Sequence, residues 1–325
     1  PRSTLFPYTT LFRSYYERAL HITIQICDRD GEALSYVNLG AVFYLLREYL
    51  KAKEYIERAL AIRIEMGDRL EEATCYGNLG VVFMGLGQYV KAAEYLEKAL
   101  AIRTKIGDRL GEAADYENLG HVNLLLRQYF KAKEYLQKAL SIRAETGDRT
   151  GEAVDFLNLG SVFKSLGLQV EAKEYLEKAL AFNNEIGNRN GQAKCYEHIG
   201  TMFMSFGEYI KAKVNLETAL AIATEIGDRA GEARCYAQLG DVFTSLSENV
   251  KAKEYTERAL AIRIEISDRK GVALCYKKLG MLLWWLGDYD KAKEYVERAL
   301  AITTKLGDRA GEASCYARLD RKSVV

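Results

Sequence analysis

The 325-residue chain is 49% hydrophobic and 28% charged, with 46 Lys and Arg against 45 Asp and Glu, a formal net charge of +1. That balance excludes a strongly basic nucleic-acid binder and an acidic tail, and the composition excludes a collagen, a disordered chain and a disulfide-dense mini-fold. No apolar run nears the roughly 20 residues of a membrane span, and with Pro1 and Pro7 the only prolines, nothing after residue 7 forbids helix.

Gly recurs at 40, 80, 120, 160, 200, 240 and 280, and an aromatic stands four places before each, from Tyr36 to Tyr276. A period of 40 kept without insertion predicts equal modules stacked in one fixed geometry. In chain order, residues 15–20 are in phase with 55–60 and predict helix B of a partial unit that, with its linker, spans 15–32. Seven complete units follow, at 33–72, 73–112, 113–152, 153–192, 193–232, 233–272 and 273–312, and residues 313–319 open an eighth.

The second unit shows how each is read. Asp68 is an N-cap, its carboxylate placed to accept from the free N–H groups of the first turn. Glu71 stands where a capping box wants it, and Glu72 adds negative charge at the positive helix end. Ala73, Tyr76, Leu79, Gly80, Phe83 and Leu86 recur at helical spacing as the stripe of helix A. Gly87 ends that helix in a left-handed conformation. Helix B runs from Tyr89 to Ile106, with Ala92, Leu96 and Ala99 on its stripe, and Gly107 closes it. Gly80 and Ala92 predict a close approach of the two backbones, with Tyr76 and Phe83 filling the gaps beside it. One helix pair cannot cover both of its faces, so the fold class is all-α: an alpha-solenoid of antiparallel helix pairs.

Counting Ala33 as position 1, the aromatic at position 4 is Tyr36, Leu39-Gly40 follow at 7 and 8, Phe43 stands at 11, and Ala52 and Ala59 at 20 and 27. These residues resemble the tetratricopeptide repeat, and the match covers residues 15–319. The chain departs from the roughly 34-residue common form in lacking the proline after helix B and in its greater length, which predicts longer helices. With Gly-Asp-Arg and Asn-Leu-Gly it is similar to the repeats of Partner-of-Inscuteable-type G-protein-signalling modulators and of large invertebrate scaffold proteins. The resemblance implies a right-handed superhelix whose concave groove is lined by the A helices at positions 2, 5, 6, 9, 12 and 13.

Both ends leave the register. Residues 4–14 resemble a translated sequencing adapter, and 320–325, with Asp320 where seven units carry Gly, resemble another frame of its reverse complement. Residues 1–14 and 320–325 are therefore expected to be non-native and are set aside from fold reasoning. A solenoid without capping units is expected to associate end to end.

No chemistry of an enzyme is legible. Five of six cysteines, Cys75, Cys195, Cys235, Cys275 and Cys315, share one phase on successive A helices, about 8–10 Å apart. A disulfide needs Cα atoms within about 7 Å, so these read as small buried hydrophobes in a reducing, cytoplasmic setting. No CxxC and no phosphate-loop motif occurs, and His21, His121 and His198 share no ligand spacing with the cysteines. No catalytic set, metal or cofactor is expected.

Position 6 of the groove carries Asn38, Asn78, Asn118 and Asn158. An amide both donates and accepts, so such a row can hold the backbone of an extended peptide, or else bond across to the neighbouring helix. The row gives way to His198, Gln238 and Lys278, where Lys194, Arg234, Lys277 and Lys278 form a basic strip interrupted by Glu197 and Asp241. That strip either meets an acidic partner or is merely solvated. Trp284 and Trp285, at positions 12 and 13, are either anchors for a partner or packing for a following repeat. The two-carboxylate clamp of chaperone-binding relatives is absent, since no unit has Asn at position 9. The Arg that follows each cap, as in Arg29 and Arg109, opposes the helix dipole and is expected to meet a carboxylate of an adjacent repeat. Three functions fit: a scaffold that binds a protein or peptide segment in its groove, with no nucleic acid or membrane involved; an architectural, self-associating spacer; or the regulatory array of a larger signalling protein.

Overall fold

Each helix starts and stops where the sequence punctuates it. The computed structural model describes residues 7–320, and sixteen helices lie among them. Asp28, Asp68, Asp108, Asp148, Asn188, Asp228 and Asp268 each cap a helix by accepting from the backbone N–H three residues on. Gly67, Gly107 and Gly147 close helices at φ of 71°, 75° and 73°, a conformation costly for a residue with a Cβ. Gly87 is left-handed as expected, at φ 72°. The capping box is only half formed: the Glu71 N–H donates to Asp68, but it is Glu72 that the structure engages, with Arg69 at 2.7 Å.

The chain divides into two units, Pro1–Leu168 and Gln169–Val325. In the first, α1 (Pro7–Gln25) precedes three hairpins, α2 (Arg29–Leu45) with α3 (Tyr49–Met66), α4 (Arg69–Gly85) with α5 (Tyr89–Ile106), and α6 (Arg109–Leu125) with α7 (Tyr129–Thr146). The helix α8 (Arg149–Ser165) follows. The second begins with α9 (Gln169–Glu185). Its hairpins are α10 (Arg189–Ser205) with α11 (Tyr209–Glu225), α12 (Arg229–Ser245) with α13 (Asn249–Glu265), and α14 (Arg269–Trp285) with α15 (Tyr289–Leu306), and α16 (Arg309–Asp320) closes it. Within each unit every helix packs on the next, so each unit is an alpha-solenoid stack.

The small residues act as their spacing predicts. A Cβ on Gly80 would lie 2.6 Å from Leu96 Cγ and 3.3 Å from the Ala92 carbonyl, so only glycine allows this approach of α4 to α5. Gly120 meets Leu136 and Ala132 in the same way. Beside Gly80 it is Tyr95 that packs with both aromatics of α4, its ring 6.1 Å from that of Tyr76 and 5.0 Å from that of Phe83. The Arg after a cap finds the expected carboxylate in several repeats: Arg109 donates to Glu145 of the adjacent unit at 2.9 Å, and to Glu112 three residues on at 2.8 Å. Arg69, with Lys105 at the cross-repeat place, meets only Glu72, and Arg269, with Val272 and Lys305 at the two places, is in no ion pair among the described residues.

At the N-terminus α1 runs back through residues 7–14, with Pro7 at its first position, where a missing N–H costs no hydrogen bond. Arg13 pairs with Glu17 at 2.8 Å and lies over the Phe43 ring. The rest of the adapter-like segments, residues 1–6 and 321–325, lies outside the described residues.

Candidate functional site

In the first unit α2, α4, α6 and α8 adjoin one another in order, so their exposed sides form one continuous face. Asn38, Asn78, Asn118 and Asn158 recur on it, each half-buried. What each amide does depends on position 5 of the preceding helix. Where that residue is Glu117, Asn158 Nδ2 reaches back to it at 3.5 Å, the cross-helix bond that was the alternative to peptide binding. Where it is Val37 or Gly77 there is no acceptor, and Asn38, Asn78 and Asn118 make no hydrogen bond among the described residues. Asn78 borders a cavity of about 220 Å³ with Val37, Tyr44, Leu45 and Val81. Leu45 is 59% exposed there.

The same back-reach dismantles much of the basic strip in the second unit. Arg234 lies 3.3 Å from Glu197, which also accepts from Gln238 at 2.9 Å. Lys278 is largely buried, donating to the Ala237 carbonyl at 3.0 Å and pairing with Asp241. Burial lowers the pKa of its ammonium, with Asp241 pulling the other way. Of the four expected cations, Lys194 remains exposed and Lys277 half-buried, neither in an ion pair among the described residues. Trp284 and Trp285 are 46% and 48% exposed. They border a cavity of about 330 Å³ with Met281, Val296, Ala317 and Leu319, so α14 and α16 share the space around them.

One set of polar residues escaped the sequence reading. Helix B of one hairpin sends a side chain to position 3 of the next helix A. In two junctions of the first unit this is a buried ion pair, Arg103 with Asp115 at 2.8 Å and Arg143 with Asp155 at 2.9 Å. Arg143 also donates to the Gly151 carbonyl at 3.0 Å and pairs with Glu117. In five other junctions position 3 is cysteine: Arg263 approaches Cys275 Sγ at 3.4 Å, Asn183 approaches Cys195 at 3.5 Å, and Ala223 stands at the place before Cys235. Burial pushes Asp115 and Asp155 up to about 7, against the pull of their arginines. It pushes the Cys75, Cys195 and Cys235 thiols up to about 12. These cysteines are free and buried, as their shared phase suggested, and such thiols are poor nucleophiles. The signal for the ion pairs was present as Asp at 115 and 155 where five other units carry Cys, each with Arg twelve residues earlier.

Among the described residues, no cluster of His, Cys, Asp or Glu is arranged to hold a metal ion, and no helix is long and apolar enough to cross a membrane. The A-helix face of the first unit offers amide and apolar contacts.

Solved structures similar in fold include the apo form of the quorum sensor NprR from B. thuringiensis, at a TM-score of 0.70 and 15% identity over 90% of this chain and 82% of that one. The apo form of RapI follows at 0.65 and 16%, over 85% and 99%. Aspartyl phosphate phosphatase F from Bacillus subtilis gives 0.65 and 17%, over 87% and 73%. A comparison with curated proteins returns no match. Tetratricopeptide repeat models match residues 32–105, 112–185, 192–265 and 273–305, most of the chain. Their helix pairs are the hairpins described above, and the chain belongs to the tetratricopeptide repeat family.

Proposed function

We propose that this protein is an interaction scaffold whose inner A-helix face holds a segment of a partner protein. The observation that carries the reading is the row of Asn38, Asn78 and Asn118, amides with unspent donors and acceptors beside exposed apolar side chains such as Leu45. A half-buried amide without an internal partner is suited to pair with a backbone brought in from outside, whatever its sequence, while the cavity beside Asn78 takes an apolar side chain. The part of the partner segment that meets Asn38 and Asn78 is uncharged, because Val37, Gly77, Ala41 and Val81 surround those two amides. No catalytic step belongs to the reading.

The test is selection of binders from a random peptide library against the whole chain, followed by Asn78→Ala with Asn118→Ala. The double variant should weaken the selected peptides at least about tenfold, near 1.4 kcal/mol, with an unchanged far-UV circular dichroism spectrum. Peptides bound equally well by the double variant would remove the amide row from the site.

A further inference from the structure

The second residue of helix B is apolar and exposed in six successive B helices, α3 to α13. In the first unit these are Leu50, Val90 and Phe130, 68%, 63% and 74% exposed. They lie on the edge formed by the turns from helix A to helix B, away from the Asn row, and nothing in the packing of α3, α5 or α7 uses them. Three large apolar side chains left in a line are an interaction surface rather than scatter.

Charge says what fits them. A lysine follows each one: Lys51, Lys91 and Lys131. In α3, and in α11, α13 and α15 of the second unit, the residue two places before this position is acidic and holds the lysine. The pairs are Glu48–Lys51, Glu208–Lys211, Glu248–Lys251 and Asp288–Lys291, all within 2.8 Å. Beside Val90 and Phe130 the corresponding residues are Gln88 and Gln128. Lys91 and Lys131, with Arg127 in the same turn, consequently have no carboxylate partner among the described residues. Lys91 is directed over the Phe83 ring instead. The first unit thus carries an apolar line with uncompensated cations beside Val90 and Phe130, whereas in the second Lys211 and Lys251 beside Ile210 and Val250 are neutralised.

We propose that this turn edge of the first unit docks an acidic amphipathic helix of a partner protein. Leu50, Val90 and Phe130 start alternate helices of the stack, α3, α5 and α7, and so form a row along the turn edge, which the apolar stripe of one amphipathic helix can follow. Acidic residues on either side of that stripe face Lys91, Arg127 and Lys131. A line of three contacts matches a rod better than the plane of a lipid surface. The site is separate from the inner face, and its failure leaves the reading of that face untouched.

The probe is a fluorescein-labelled helical peptide of three heptads, with Leu in every seventh place and Glu on the two flanking rows. It is titrated into the full chain by anisotropy at low and at physiological salt. Saturable binding that weakens with salt is expected, and Phe130→Ser, a change at an exposed site, should weaken it at least about tenfold. Gln88→Glu with Gln128→Glu restores the ion pairs of the second unit, and should weaken binding at least about fivefold and flatten its salt dependence. Ile210→Ser in the second unit should leave it unchanged. The proposal is overturned by no saturable binding, or by binding indifferent to Phe130→Ser and to the Gln→Glu pair. Preferential binding of phosphatidylserine vesicles, or a dimer of the chain by light scattering that Phe130→Ser dissolves, overturns it in favour of those occupants.

Discussion

Removing Arg143 should cost far more than removing both Arg143 and Asp155. Asp155 is fully buried, and Arg143 is the cation that faces it at 2.9 Å. Arg143→Ala at pH 7.5 strands the carboxylate in the α7–α8 junction, at a cost of about 3–5 kcal/mol. Asp155→Cys leaves Arg143 on the Gly151 carbonyl and Glu117, an arrangement close to that of Arg263 with Cys275, and should cost about 1 kcal/mol. The double variant places Ala before Cys, as Ala223 and Cys235 already are, and should return to within about 2 kcal/mol of the parent. The coupling between the two changes is therefore about 2 kcal/mol or more.

The penalty also carries a pH signature. The Asp155 pKa lies above that of an unfolded aspartate, so the folded state keeps its proton to about 7 while the unfolded state loses it near 4. Stability from this group is greatest below the lower value and falls as pH rises through the upper one. The Arg143→Ala cost should therefore be smaller at pH 5 than at pH 7.5. Urea midpoints by circular dichroism report the cost. Because stacked repeats can open locally, hydrogen exchange of α7 and α8 assigns it to the junction. A double variant no more stable than Arg143→Ala at pH 7.5, or a single-variant cost equal at both pH values, refutes the argument.

Gly120→Ala should destabilise by about 1–3 kcal/mol, because its methyl would meet Leu136 Cγ at 2.6 Å; a shifted urea midpoint reads it. Ser247 and Ser267 hold φ of 61° and 58° where most sister repeats have glycine, so Ser247→Gly and Ser267→Gly should each raise stability by about 1 kcal/mol, seen as a higher melting temperature. Of the six free thiols, exposed Cys27 should react with Ellman's reagent at once and the five buried ones only on unfolding, which a stopped-flow trace resolves.

The helices were legible because each boundary is written in local chemistry. Asp68, Gly87, Tyr89 and Gly107 fall at the ends they predict, since capping and a positive φ are decided within a few residues. Gly80 and the cysteine phase declared the helix contacts through spacing alone. The site was legible only in part. Lys278 and Arg234 stand where a groove cation is expected, yet Asp241 and Glu197, nearly one period earlier in the chain, hold them. Similarly, Asn158 differs from Asn118 through Glu117 in place of Gly77 on the helix before. A side chain's partner lies one period away, and the composition of its own helix does not reveal it. The buried Arg–Asp pairs were missed for the same reason, as position 3 was read from its commonest occupant.

Those junctions also restrict how such a gene can change. Near-identical copies invite unequal crossing-over, and most misaligned exchanges would join helices of the right length and stripe. Yet an exchange that placed the Asp115 or Asp155 helix behind the Ala223 helix would leave a carboxylate with no counter-ion at a dry seam. The order of the repeats is thereby locked from within, by keys too small to alter the outline of any single copy.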